Sequence, residues 1–183
     1  MSEWDLVKNC APTLAGIKTG SLFTCPYESR DAVLASVRRF NERLGSKGLR
    51  ALPMRFSEKK ALIYVFRPGK LMKDLESEAA SELLRCRGYC VGSCGKCVGD
   101  LARNLRDGEE FPHEIGLFLG YPPEDVRGFL ECGPDGCKCA GCWKVYGDED
   151  TARKKFAQYK KCTKVYCDRY DQGVPIERLT VSS

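Results

Sequence analysis

Apolar residues recur three and four positions apart in several stretches of this chain, and each such stretch predicts a helix. "SRDAVLASVRRFNERLG" carries Val33, Val37, Phe40 and Leu44 on one stripe, with Ser29 placed to cap it and Gly45 to end it. Met72, Leu75, Ala79, Leu83 and Cys86 mark a second helix that stops at Gly88, and Val98, Leu101 and Leu105 mark a third that starts near Gly95. "GDEDTARKKFAQYKKCTKVYCDRYDQG" predicts a long helix, capped at Asp148 and closed by Gly173, with Ala152, Phe156, Tyr159, Thr163, Tyr166 and Tyr170 inward. Near the start, "EWDLVKNC" predicts a short helix that stops at Pro12, because proline pushes the preceding residue out of helical angles.

Other stretches have a different period. "LRALPMRF" alternates through Leu52, Met54 and Phe56, and Pro53 assigns it to a sheet edge. "ALIYVF" is apolar on both faces, so the two form a hairpin with one buried strand over residues 49 to 66. "FPHEIGLFLGYPPEDVRGFLE" reads as two short helices opened by prolines, although Ile115, Leu117 and Leu119 also permit a strand. "CWKVY" is a short strand. The sum is a single α+β domain over residues 1 to 183: a small antiparallel or mixed sheet surrounded by helices.

Composition narrows the function classes. Hydrophobic residues make up 43% and charged residues 30%, which is globular composition. The longest apolar run is too short to span a bilayer, and "MSEWDLVKNC" lacks a basic stretch leading into an apolar one, so the expectation is a cytoplasmic protein without membrane contact. A net charge of +5 is mixed with 25 acidic residues. "EIGLFLGYPPEDV" has a helix-turn-helix outline, but its would-be recognition helix is acidic and would repel phosphate, which argues against nucleic acid. "GIKTGS" lacks the glycine order of a phosphate loop and reads as a turn.

Twelve cysteines change the picture, because a reducing compartment disfavours a disulfide framework and leaves metal binding, redox chemistry or packing. Cys86, Cys90, Cys94 and Cys97 fall in a glycine-rich connection, where a wrapping backbone lets thiolates converge on zinc or an iron–sulfur cluster. The Cys90 to Cys97 spacing matches that of radical enzymes using S-adenosylmethionine, but those need a large barrel. Packing competes here, since Cys86, Cys94 and Cys97 fall on or beside apolar helix stripes. Cys132, Cys137, Cys139 and Cys142 occupy the loop "CGPDGCKCAGC", and the two groups can share one centre. This leading reading is a metal or iron–sulfur protein with a redox or metal-handling role and a redox protein as partner. A second is a hydrolase or transferase with Cys10 as nucleophile and His113, the only histidine, as base, Asp125 being one candidate to orient it. A third is a binding or scaffold protein without catalysis.

Three stretches, "NCAPTLAGIKTGSLF", "FPHEIGLFLGYPPEDVRGFLE" and "CWKVYGDEDTARKKFAQYKKCTKVYC", together resemble the bacterial family known as domain of unknown function 3793, found mostly in anaerobes. The likeness runs from Asn9 to the closing "LTV". It carries no activity. It implies that Cys10, Pro12, His113, Cys139, Trp143, Cys162 and Cys167 match family motifs, whereas the cluster from Cys90 to Cys97 and Cys142 depart from them. A metal site on the departing residues would belong to this member alone, and an anaerobic setting would suit exposed thiolates.

Overall fold

Ser2 opens the first helix with a reciprocal cap: its hydroxyl accepts from the Asp5 amide while the Asp5 carboxylate accepts from the Ser2 amide. In the computed structural model, which describes residues 1–108 and 110–182, this helix α1 runs over Glu3–Leu14. It therefore passes through Pro12 rather than stopping before it. Proline forfeits only one backbone bond so close to the helix end, and Val7, Cys10, Ala11 and Leu14 are all fully buried.

The fold is α+β, a single domain made of two compact units: Met1–Gly69 with Tyr159–Ser183, and Lys70–Gln158. The first unit holds a three-stranded antiparallel sheet of β1 (Gly20–Pro26), β2 (Arg50–Phe56) and β3 (Lys60–Phe66) in the order β1-β3-β2. The apolar run β3 lies in the middle, which accounts for its burial on both faces. Strand β1 is an addition to the expected hairpin; its glycine, threonine and proline disguise the pattern. Pro53 does sit at an edge, but a register shift between Pro53 and Arg55 changes the parity of β2. Ala51 and Met54 consequently face inward, and Leu52 is exposed. Helix α2 (Arg30–Leu44), capped by Ser29, buries the expected Val33, Val37, Phe40 and Leu44 in one core with α1 and the sheet.

Arg67, the residue after β3, holds this unit's ends together. It is 3% exposed and donates only to main-chain carbonyls: Nε to Thr13 at 2.7 Å, Nη2 to Leu14 at 2.8 Å and Val181 at 2.7 Å, and Nη1 to Lys47 at 3.2 Å. Two of these carbonyls, at Thr13 and Leu14, end α1 and also accept from the Gly16 and Val181 amides, so the buried guanidinium adds charge-assisted bonds to a helix end that the main chain already meets.

In the second unit the helix expected over Met72 to Cys86 is two: α3 (Pro68–Glu76), whose first two residues belong to the other unit, and α4 (Glu78–Cys86). At the break Ser77 Oγ donates to the Asp74 carbonyl and Ser81 Oγ to the Leu75 carbonyl, taking acceptors that a continuous helix would use. The break rotates the apolar stripe onto Leu71, Leu75, Ala80 and Leu84, and leaves Cys86 exposed. Gly88 ends α4 with φ +77°. Next come α5 (Cys94–Asp107), α6 (Ile115–Phe118) and α7 (Pro123–Cys132), with α4 and α6 packed on α7. "CWKVY" does not join the main sheet. It supplies β5 (Lys144–Val145), which pairs with β4 (Cys139–Ala140) in a separate two-stranded sheet against α7. Helix α8 (Glu149–Asp171) is divided between the units at Gln158, and α9 (Ile176–Leu179) completes the first.

Replacing Arg67 by methionine removes every one of those donors while keeping the bulk. Urea unfolding of Arg67→Met is expected to show a loss of about 3 kcal/mol or more, since four buried hydrogen bonds from a charged donor are lost, each contributing roughly 1.5–3 kcal/mol. A loss under about 0.5 kcal/mol, the size of an ordinary surface change, would contradict this role.

Candidate functional site

Asp125 is the centre from which the second unit's main cavity is built. Pro122 and Pro123 start α7, and Asp125 follows in its first turn, where a carboxylate suits the helix dipole. The side chain is only 3% exposed, yet it is well bonded: Oδ2 accepts from Trp143 Nε1 at 2.7 Å, and Oδ1 accepts from the amides of Tyr146 and Gly147, both at 2.7 Å. One carboxylate thereby fixes the strand β5, the turn after it and the indole before it.

The pinned indole is 7% exposed and stacks on Tyr121 with ring centres 4.9 Å apart and planes 26° from parallel. Phe156 of α8 meets its edge at 4.5 Å and 80°. Two glycines make these approaches: a Cβ on Gly141 would lie 2.2 Å from the Phe156 ring, and one on Gly128 would lie 2.3 Å from Tyr146. On one side of the aromatic pair is a cavity of about 440 Å³, lined by Tyr121, Trp143 and Pro122 as an apolar wall and by Lys73, Asp74 and Lys155 among its polar groups. On another is a smaller apolar cleft of about 200 Å³, which shares Tyr121, Asp125 and Trp143 and adds His113, Val126 and Phe129. At the cavity's edge Asp148 caps α8 by accepting from the Thr151 amide and hydroxyl, and these bonds hold its carboxyl below the usual range.

His113 is exposed in this unit, its ring against Phe129 at 4.7 Å and Phe111 at 5.7 Å. Asp125, the candidate orienting group, gives its oxygens to Trp143, Tyr146 and Gly147 instead. Cys10 belongs to the other unit, on α1, at 0% exposure; burial pushes its thiol up to about 12, with Lys18 and a bond with Ser21 opposing. Such a group is protonated at neutral pH and sealed from solvent.

The proposed ligand cysteines are all free thiols with dissimilar settings. Cys86, Cys90, Cys132 and Cys142 are exposed, Cys94, Cys137 and Cys139 half-buried, and Cys97 buried. Among the described residues no three His, Cys, Asp or Glu side chains form a group able to hold a metal ion. The donors expected for zinc or a cluster, Cys86, Cys90, Cys94, Cys97, Cys132, Cys137, Cys139 and Cys142, are thus not gathered into such a group among the described residues. Cys162, on α8, is pushed up to about 11 by burial.

The fold and cavity define a cysteine-rich α+β protein with an aromatic-walled site of ligand size. The chain belongs to the family described as protein of unknown function DUF3793, whose model matches residues 6–180. No curated protein and no solved structure matches it. Among the described residues no helix is long and apolar enough to cross a membrane.

The Cys10 thiol makes stability depend on alkaline pH. Its folded value of about 12 lies above the unfolded 9.0, so its contribution is complete below pH 9.0 and is lost as pH rises from there towards 12. Wild type is therefore expected to lose more unfolding free energy between pH 9 and 11 than Cys10→Ala does. Iodoacetamide at pH 7.5 is expected to modify Cys86, Cys90, Cys132 and Cys142 before Cys10. Preferential labelling of Cys10 would reverse this account and restore the nucleophile.

Proposed function

We propose that this chain is a binding protein for a small organic molecule, held in the cavity beside Trp143. The observation that carries the reading is the combination of a ligand-sized volume, about 440 Å³, with an indole locked in place by a buried carboxylate. A wall fixed before the ligand arrives lowers the ordering cost of binding. The chemistry of the lining selects the guest. The Tyr121–Trp143 pair and Pro122 suit a flat apolar ring, while Lys73, Lys155, Asp74 and Glu124 offer both signs of charge to its polar ends.

The other readings have less support. A metal or iron–sulfur role asks for convergent thiolates, and the cysteines lack that convergence here. The Cys10–His113 hydrolase asks for an accessible, ionisable thiol, whereas Cys10 is buried and protonated.

Emission of Trp143 in a Trp4→Phe background reports on the cavity. Titration with nucleosides, pterins and aromatic amino acids is expected to give a saturable change with at least one class. Lys73→Tyr, a substitution at an exposed residue of the cavity lining, is expected to abolish that change while circular dichroism stays constant. Saturable binding that Lys73→Tyr leaves intact, or no response from any class, contradicts the assignment.

A further inference from the structure

Cys94 is the first residue of α5 and Cys97 the fourth, an arrangement that concerns neither the cavity nor the ligand reading above. Ser93 caps the helix, its hydroxyl accepting from the Lys96 amide and its carbonyl from the Cys97 amide at 3.0 Å. Residues three apart on a helix share one face, with Cβ atoms roughly 5–6 Å apart, and a small adjustment reaches the roughly 3.5–4.5 Å that a disulfide needs. The same first turn presents the positive end of the helix dipole to a thiolate, as in dithiol oxidoreductases.

The two thiols differ in access. Cys94 is half-buried, whereas Cys97 is 2% exposed and its Sγ donates to the Cys90 carbonyl at 3.0 Å. The Cys90 segment is tied down in turn by its amide bond to the Asp100 carboxylate at 2.9 Å. Cys97 also lines a separate cavity of about 240 Å³ with Met72, Leu75, Val91 and Arg85, so its sulfur has space to turn from the Cys90 carbonyl. We propose that Cys94 and Cys97 form a redox-active dithiol that exchanges with disulfides, Cys94 attacking and Cys97 resolving.

The electrons balance through the partner disulfide. The Cys94 thiolate attacks one sulfur of R–S–S–R, forming a mixed disulfide and expelling RS⁻, which takes up a proton. Cys97 loses its proton to solvent and attacks Cys94 Sγ, closing the Cys94–Cys97 disulfide and releasing the second RSH. Two thiols are oxidised and one disulfide is reduced. Burial raises both thiols, and the Asp100 charge raises Cys97 further. Exchange therefore quickens as pH rises and the thiolate forms.

The test treats the full chain with glutathione disulfide and maps the products by peptide mass spectrometry. Wild type is expected to yield a Cys94–Cys97 disulfide that dithiothreitol reverses. In Cys97→Ser a mixed disulfide is expected to persist at Cys94 because the ring cannot close, and Cys94→Ser is expected to form none at position 97. A Cys90–Cys97 bond, or adducts at Cys94 without ring closure in wild type, would each overturn the proposal. The wild-type map stands alone should either variant fold poorly.

Discussion

Burying a carboxylate is costly unless donors meet it, and Asp125 is met on both oxygens. An ionised group left unpaired in the interior costs several kcal/mol, while each charge-assisted bond contributes about 1.5–3 kcal/mol. The Trp143 indole and the Tyr146 and Gly147 amides are therefore held where they are by the same carboxylate. From that constraint follow the direction of strand β5, the turn into α8 and the fixed aromatic wall of the cavity. The floor of the site is thus set by backbone and ring bonds to one carboxylate.

The first unit solves the opposite problem with the opposite charge. Arg67 is buried among carbonyls of Thr13, Leu14, Lys47 and Val181, so that the end of α1 and the C-terminal strap share one cation. Desolvation lowers its affinity for the proton, yet guanidinium retains its charge, which is why arginine rather than lysine suits the position. Cys10, close in sequence to those carbonyls, is a small buried side chain whose sulfur stays neutral for the same reason of desolvation. Two chemically suggestive residues thus have structural tasks.

Periodicity made much of this fold legible. Helix α2, the central burial of β3, the proline-opened α7 and the long α8 follow from residue spacing alone. The break at Ser77 was hidden because serine hydroxyls capture carbonyls only once the chain is folded, and the bulge after Pro53 reversed the faces of β2. Strand β1 carries too few apolar residues to declare itself. The cavity was less legible still. Asp125, Tyr121 and Trp143 are separated by up to 22 residues from the groups they organise, and no local pattern announces that a helix-start acid will bind an indole. The cysteines drew attention by number, whereas their chemistry depends on individual placement: Cys94 and Cys97 share a helix start, and Cys86 points to solvent. A C-x-x-C directly after a capping serine was the signal available for that pair, masked by reading all four cysteines as one ligand set.

The central claim is that the wall of the cavity exists before any ligand arrives, fastened through the Trp143 indole. Hydrogen exchange of the two indole N–H groups, resolved by nitrogen-15 NMR, measures this directly, because Trp4 is 39% exposed and serves as an internal reference. The account predicts that the Trp143 N–H exchanges at least about a hundredfold more slowly than that of Trp4 in the free protein. Equal exchange at both indoles would mean that the bond to Asp125 is not maintained, and the preformed site would be wrong.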